Sequence, residues 1–486
     1  MIRRAVLCVA FLLVVSPALV ASGTPSAPKV SQVHSNCYLG AVGIAVDASG
    51  VYVAGSINGT LPGQTSAGSC DAFLRKHDTS GNVLWTRQFG TSGEDEAIAI
   101  AVDASGAYVV GRTNGALPGQ TNGGTDGSFP YDAFVIKYDT SGNVLWTRQF
   151  GTSHFDQANG IALDASGVYV SGLTWDALPG QTSAGSGDAF LRKYDASGNV
   201  LWTRQFGSSD FDQADNVAVD ASGAYVAGVT AGAFPGQTSS GSADAFVIKY
   251  DTSGNVLWTR QFGSSSYDLA WGMALDASGA YVAGRTGGAS GYEPDPSDDA
   301  FVRKYDASGN LLWADQFGSS AADWANWIAV DASGAYVAGV TFGGTLPGQT
   351  SAGSDDGFVR KYDASGNVVW TRQFGTSADD QAYAIAVDAS GAYVAGYAAG
   401  ALPEQTSTGG FDAFVRKYDV NGNEVWTRQF GTQANANLGV LPGSVPWAIY
   451  AAVAAGAAAL GSAGGLLWRR RRRSRTPPAQ PPPPVT

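Results

Sequence analysis

The sequence predicts an all-β protein whose folded part is a single seven-bladed β-propeller of four-stranded blades, followed by one C-terminal transmembrane helix. Three observations predict it. Glycine supplies 65 of 486 residues, aromatics 11% and charged residues only 14%, a glycine-punctuated composition that does not suit a helical protein. Two strings recur seven times each along the chain. Each repeat holds four short apolar or alternating runs, the number of strands in a propeller blade.

The first string, DAFVRKYDASGNVLWTRQFG with small changes, places tryptophans at Trp85, Trp146, Trp202, Trp258, Trp313, Trp370 and Trp426. The second, IAVDASGVYVAG at Ile44–Gly55, places aspartates at Asp47, Asp103, Asp164, Asp220, Asp276, Asp331 and Asp388. Both repeat every 55 to 61 residues, so residues 40–432 form one architecture and not several domains. In the second unit the runs are Ala97–Val102, Ala107–Gly111, Ala133–Tyr138 and Val144–Phe150. Two DxSG segments per unit break these runs, and Asp, Ser and Gly in a row offer a side-chain acceptor and a left-handed position, so both read as tight hairpin turns. The Ile-Ala-Val-Asp run alternates large and small residues, as an innermost strand needs when its large face packs on one neighbouring blade and its alanine face on the other. The repeated Trp and Tyr are expected to fill the layer between blades. A hydrophobic content of 44% is enough for a large core, and closing seven blades into a ring removes exposed sheet edges.

The two ends differ from this body. Residues 1–22 read as a signal peptide, with Met1–Arg4, an apolar stretch Ala5–Val15 and small residues at Ala18, Ala21 and Ser22; residues 23–39 form an N-terminal segment. After a linker at 433–445, residues 446–468 read as a transmembrane helix: Trp447–Trp468 carries no charge and would give ~33 Å of helix. Arg469–Arg473 follow within a basic, proline-rich tail at 469–486, so the positive-inside rule leaves the tail cytoplasmic and the propeller at the cell surface. Gly461 and Gly465 form a GxxxG face for helix-mediated dimerisation. Positive charge concentrates at both ends, so the formal net charge of −12 understates the acidity of the middle, and nucleic acid is not expected as a partner.

The unit DAFVRKYDASGNVLWTRQFG, then TSxxDxA, then IAVDASGAYVAG, resembles the SBBP repeat, the seven-bladed propeller repeat of bacterial and archaeal surface proteins. That resemblance covers about four fifths of the chain and implies a fold and a surface location without a defined biochemical role. IAVDASG loosely resembles the NHL repeat, and YDASGNVLW is similar to the tryptophan-docking hairpin of quinoprotein propellers, one residue shorter between Asp and Gly. Leu441-Pro442-Gly443-Ser444 before the apolar span resembles a sortase sorting signal, with Ser444 and Val445 where that motif has Thr and Gly, which leaves open whether the segment is a permanent anchor or is cleaved.

Loops between blades and between the second and third strands share one propeller face, and there the copies differ most, in Asn122–Tyr131 and Gly287–Asp298 for example. Six interblade loops carry an aspartate eight residues before the strand aspartate: Asp95, Asp156, Asp212, Asp268, Asp323 and Asp380. These read either as turn-closing carboxylates or as a ring around the axis holding a cation such as calcium. Shortly afterwards the copies diverge into Asn159, Asp215, Trp271, Asn326, Trp327 and Tyr383, a mixture suited to a glycan or peptide ligand at the channel mouth or to covering the channel end. His34, His77 and His154 occupy unrelated repeat positions, so no metal cluster or Ser-His-Asp arrangement is signalled and no cofactor is expected. Cys37 and Cys70 remain after signal removal, in a compartment that permits a disulfide between them. Lys29–His34 retains little of the outer-strand pattern, so ring closure by a strand borrowed from the other terminus is expected to be weak or missing. The reading is an exported, membrane-anchored binding or structural module, with an enzymatic propeller of quinoprotein-like or lyase/hydrolase type as the alternative.

Overall fold

Residues 40–124, 130–288 and 294–432 are described by the computed structural model. The expected signal peptide, N-terminal segment, linker, transmembrane helix and tail lie outside them. Among the described residues no helix is long and apolar enough to cross a membrane.

Seven antiparallel sheets of four strands are present, each made from four consecutive strands of the chain. In the second blade these strands, here lettered A to D, run Asp95–Asp103, Gly106–Thr113, Asp132–Tyr138 and Val144–Phe150, on the runs read from sequence. The A strands, from Gly40–Asp47 in blade 1 to Asp380–Asp388 in blade 7, touch one another in a closed circle and so surround the axis.

Local chemistry explains the hairpins. In the A–B turn Asp47 Oδ1 accepts the Ser49 backbone N–H at 2.7 Å and its hydroxyl at 2.6 Å. In the C–D turn Asp78 Oδ1 accepts the N–H groups of Ser80 and Asn82 at 2.9 and 2.8 Å, while Oδ2 accepts the Asn82 amide at 2.9 Å. Only the C–D glycine, Gly81 at φ +83°, takes the left-handed position expected of both turns. Gly50 has φ +145°, and a Cβ there would lie 2.0 Å from the His77 carbonyl oxygen, so close approach of strand C excludes any side chain.

Packing occurs at the junctions, with an apolar cluster between each pair of adjacent blades. Ile44 and Val46 enter the cluster shared with blade 7, and Ala45 the one shared with blade 2, as the alternation of strand A predicts. The repeat tryptophans work at the outer edge of the same junctions. Trp258 lies over the C–D turn of the next blade, where a Cβ on Gly309 would come within 2.8 Å of the indole. Its N–H donates to the Ala307 carbonyl at 3.0 Å, and Arg260 Nε donates to the Gly309 carbonyl at 2.7 Å.

The ring closes by this same interlock and not by strand exchange. Trp426 donates to the Thr79 carbonyl at 3.2 Å, Arg428 donates to the Gly81 carbonyl at 3.2 Å, and Phe73 meets Phe430 edge-on at 5.7 Å. Blade 1 takes all of its strands from its own repeat, so the expected weakness of a borrowed strand has no consequence among the described residues. Cys70 is fully buried and disulfide-bonded, whereas Cys37 lies outside the described residues.

Two outcomes are expected. Trp258→Ala removes a half-buried indole together with its turn hydrogen bond, and should lower unfolding free energy by about 2–3 kcal/mol in denaturant titrations, less than a fully buried tryptophan would cost. Intact mass of the denatured, unreduced protein after alkylation should show no adduct at Cys37 or Cys70, and adducts at both after reduction.

Candidate functional site

The six interblade aspartates are buried and close their own loops. Each accepts, at 2.5–2.6 Å, the backbone N–H of the residue four positions earlier: Thr91, Thr152, Ser208, Ser264, Ser319 and Thr376 for Asp95, Asp156, Asp212, Asp268, Asp323 and Asp380 in turn. The hydroxyl of that same residue donates as well, and Thr113 adds a bond to Asp95 from strand B. The carboxylates are therefore committed within separate junctions and are not drawn round one cation. Among the described residues no three His, Cys, Asp or Glu side chains form a group able to hold a metal. Burial pushes Asp156 up to about 7 and Asp212 and Asp380 up to about 6, despite these donors.

The diverging residues nearer the axis share a feature that the sequence did not display. Asn159, Asp215, Trp271, Asn326 and Tyr383 are each the unpaired residue of a β-bulge in strand A, as Val42 and Ile98 are in blades 1 and 2. Several are already used between blades: the Asn159 amide donates to the Ala214 carbonyl at 3.0 Å and the Asn326 amide to the Ala382 carbonyl at 2.9 Å. Asp215 is buried, its Oδ2 has no partner, and desolvation raises it to about 8, so a protonated carboxyl is favoured at neutral pH. Trp271 packs on Trp324 with centroids 5.3 Å apart, and Tyr383 on Tyr397 at 5.7 Å.

Trp327, next to the bulge, lies where other blades carry Gly43, Gly160 or Gly272, glycines at which a Cβ would press on the neighbouring A strand. Its indole packs against the blade 6–blade 7 cluster and also against the blade 2–blade 3 cluster, so it crosses the axis. Of the six residues read as channel-mouth ligands, Trp327 thus obstructs the channel, while Asn159 and Asn326 staple its wall.

Sequence reasoning missed the buried arginines. Arg112 pairs with Glu96 at 2.8 Å, donates to Gln157 at 3.0 Å, and lies 4.7 Å from the Tyr131 ring centre. Arg285, at the same repeat position, pairs with Asp298 at 2.5 Å and lies 4.9 Å from the Trp324 ring centre, whose N–H also donates to Asp298 at 3.1 Å. A lone arginine in an otherwise apolar strand was the available signal.

The loop face itself is part fixed and part individual. Its LPGQT segments are held by the repeat glutamine: Gln88 Oε1 accepts the Leu61 N–H at 2.8 Å, Gln64 Oε1 accepts the Gln88 N–H at 3.0 Å, and Gln88 Nε2 donates to Asp71 at 2.7 Å. Blade 5 lacks this loop, and a cavity of about 160 Å³ beside its outer strand is lined by Asp268, Arg303 and Asp315. On blade 3, half-exposed His154 and Asp176 meet at 2.6 Å beside Trp175, which packs against the cluster of Tyr131, Phe155 and Leu173. Ser153 Oγ approaches the same His154 nitrogen at 3.1 Å, so serine and aspartate are not on opposite ring nitrogens as nucleophile activation requires.

No family model matches the chain. It is 27% identical over 377 residues to the regulatory protein FlaEY of Caulobacter vibrioides, covering 68% of this chain but 39% of that relative. It is also 27% identical over 188 residues to an uncharacterized WD repeat-containing protein, L264, of Acanthamoeba polyphaga mimivirus, covering 31% of this chain and 14% of that one. The chain therefore spans less than half the length of either. Among solved structures, the Pan2 WD40 domain of Neurospora crassa superposes with TM-score 0.44 at 12% identity, over 75% of this chain and 88% of its own. The β-propeller domain of the Trilobed protease from Pyrococcus furiosus superposes with TM-score 0.41 at 8% identity, over 81% and 97%.

The buried carboxylates set a pH dependence. Asp156, Asp212, Asp215 and Asp380 have folded values near 6–8, above the unfolded value of 3.8. The folded state thus binds more protons than the unfolded state in between, and their stabilisation is complete below about pH 4 and lost as pH rises through 6 to 8. Turn aspartates such as Asp78, held low by Asn82, act oppositely and only in stronger acid. Melting temperature should fall from pH 5 to pH 8, and Asp215→Asn should raise it most at pH 8, less at pH 5 and little below pH 4.

Proposed function

We propose that this chain is an exported surface protein that binds a protein or glycan partner through the loop face of its propeller and performs no catalysis. One observation carries the reading, the contrast between the two faces. On one, the DxSG turns repeat in every blade with the aspartate bonding back to its own turn. On the other, individual side chains meet on a fixed scaffold, among them His154, Trp175 and Asp176 of blade 3. A rigid ring whose variation is confined to one face suits recognition. The relative named as a regulatory protein is in keeping with such a role.

Export and anchoring rest on the leader at 1–22 and on the apolar span at 446–468. Carbonate extraction of cells should leave the full-length protein in the membrane pellet, and its release without detergent would refute anchoring. A glycan array and a surface-protein pull-down with the full chain should each be repeated with His154→Ala and Trp175→Ala. Loss of the captured partner is expected from both, at unchanged melting temperature for the half-exposed His154→Ala and with a lowered one for Trp175→Ala, whose indole packs on a buried cluster, whereas retention of the partner by both variants would remove blade 3 from the binding surface.

A further inference from the structure

The junctions differ in how they treat buried charge, and equivalent positions can be compared directly. In strand B, Arg112, Arg285 and Val340 occupy one repeat position, paired with Ala133, Ala300 and Gly357 of strand C. Two residues before those partners stand Tyr131, Asp298 and Asp355. At the blade 5–blade 6 junction Arg285 neutralises Asp298 and stacks near Trp324. At the blade 2–blade 3 junction Arg112 lies between the Tyr131 and Phe155 rings and is paired with Glu96. The fold thus twice places a guanidinium among aromatic rings against a carboxylate.

At the blade 6–blade 7 junction the acidic partner is kept and the arginine is replaced by Val340. Asp355 there has Asp379, Asp356 and Asp380 as its charged neighbours. Asp356 and Asp380 are fully buried, each with one carboxylate oxygen lacking a partner, and strand B offers Ala398 where Asp95 has Thr113. Gln381 is 1% exposed and approaches Asp355, yet neither its amide oxygen nor its nitrogen completes a hydrogen bond. The Tyr383 hydroxyl is likewise buried without a partner. Tyr383, Tyr397 and Phe411 supply aromatic faces in series, with centroids 5.7 and 4.8 Å apart. Asp355 and Asp379 are only partly buried, so the junction is open to the loop face.

We propose that the blade 6–blade 7 junction binds a guanidinium or ammonium group, carried by an arginine or lysine side chain of a protein partner. The chemistry follows that of Arg285. A carboxylate pair accepts a planar guanidinium through two parallel bonds, and aromatic rings accept its face. Gln381 and Tyr383 give the remaining N–H groups uncharged acceptors, as Gln157 does for Arg112. No three carboxylate or imidazole groups among the described residues are arranged for a metal, which favours an organic cation over a bare ion. The inference rests on the binding role proposed above and adds a second place on the loop face, remote in sequence from His154 and Trp175.

The test uses the full-length protein and a dansylated arginine amide, read by fluorescence anisotropy, with calcium chloride alone as a parallel titrant. Saturable binding of the arginine probe is expected. Asp355→Asn combined with Asp379→Asn should weaken it at least tenfold without lowering melting temperature, because two crowded carboxylates are removed. Val340→Arg should abolish probe binding by supplying the guanidinium from the chain itself. The double asparagine variant stands independently should that arginine prevent folding. No saturable binding by the wild-type protein, equal binding by the asparagine variant, or saturable binding of calcium without the probe would each overturn the proposal. His154→Ala and Trp175→Ala should leave probe binding unchanged, so failure at this junction and failure of the blade 3 surface are read separately.

Discussion

Everything in this molecule depends on the seating of each outer-strand tryptophan over the glycine of the next blade's C–D turn. The contact requires a left-handed glycine, since a Cβ on Gly309 would come within 2.8 Å of Trp258, whose indole N–H a turn carbonyl accepts, although Trp313 is seated over Gly366 without such a bond. Arg260 completes the clamp on the same turn through its bond to the Gly309 carbonyl. Sequence economy follows: one twenty-residue string encodes both halves, the turn that receives and the tryptophan that is seated. Repeating it fixes the spacing and tilt of successive blades.

Because the clamp joins neighbours and not strands within a blade, the ring can close without exchanging a strand. Trp426 and Arg428 treat the first blade as Trp85 with Arg87, Trp146 with Arg148, Trp258 with Arg260 and Trp370 with Arg372 treat their successors, while blade 5 carries Asp315 in place of the arginine. His77 is the visible departure in that first blade, standing where Tyr138 and Tyr194 stand elsewhere. Burial drives its value down to about 4, and it packs as a neutral ring 6.3 Å from Phe430. Closure thus relies on apolar contact and turn hydrogen bonds, without an ion pair at that position.

A repeat this regular also makes its exceptions informative. A buried charge is expensive unless paired, so each acidic residue added to a junction calls for an answering group. Glu96 finds Arg112, and Asp298 finds Arg285 and the Trp324 N–H. Asp215 answers by taking up a proton, its value raised to about 8 through desolvation. Between blades 6 and 7 no arginine answers Asp355, and burial with the neighbouring Asp379 charge raises it to about 7, as burial raises Asp380 to about 6.

The sequence by itself determined the repeat, the number of blades, the four strands of each and the hairpin turns between them, because alternation and turn chemistry act over a few residues. Asp132–Tyr138 and Val144–Phe150 fall on the runs read from sequence for that reason. It also named the divergent positions Asn159, Asp215, Trp271, Asn326, Trp327 and Tyr383, but not their roles. Only the tertiary structure decided that five of them are bulge residues, that Trp327 crosses the axis, and that Arg112 and Arg285 neutralise buried carboxylates. Those outcomes depend on partners brought together across a junction or across the ring, such as Asn159 and Ala214 or Trp327 and the blade 2–blade 3 cluster, and no local pattern in the chain records which side chains the closed ring makes neighbours.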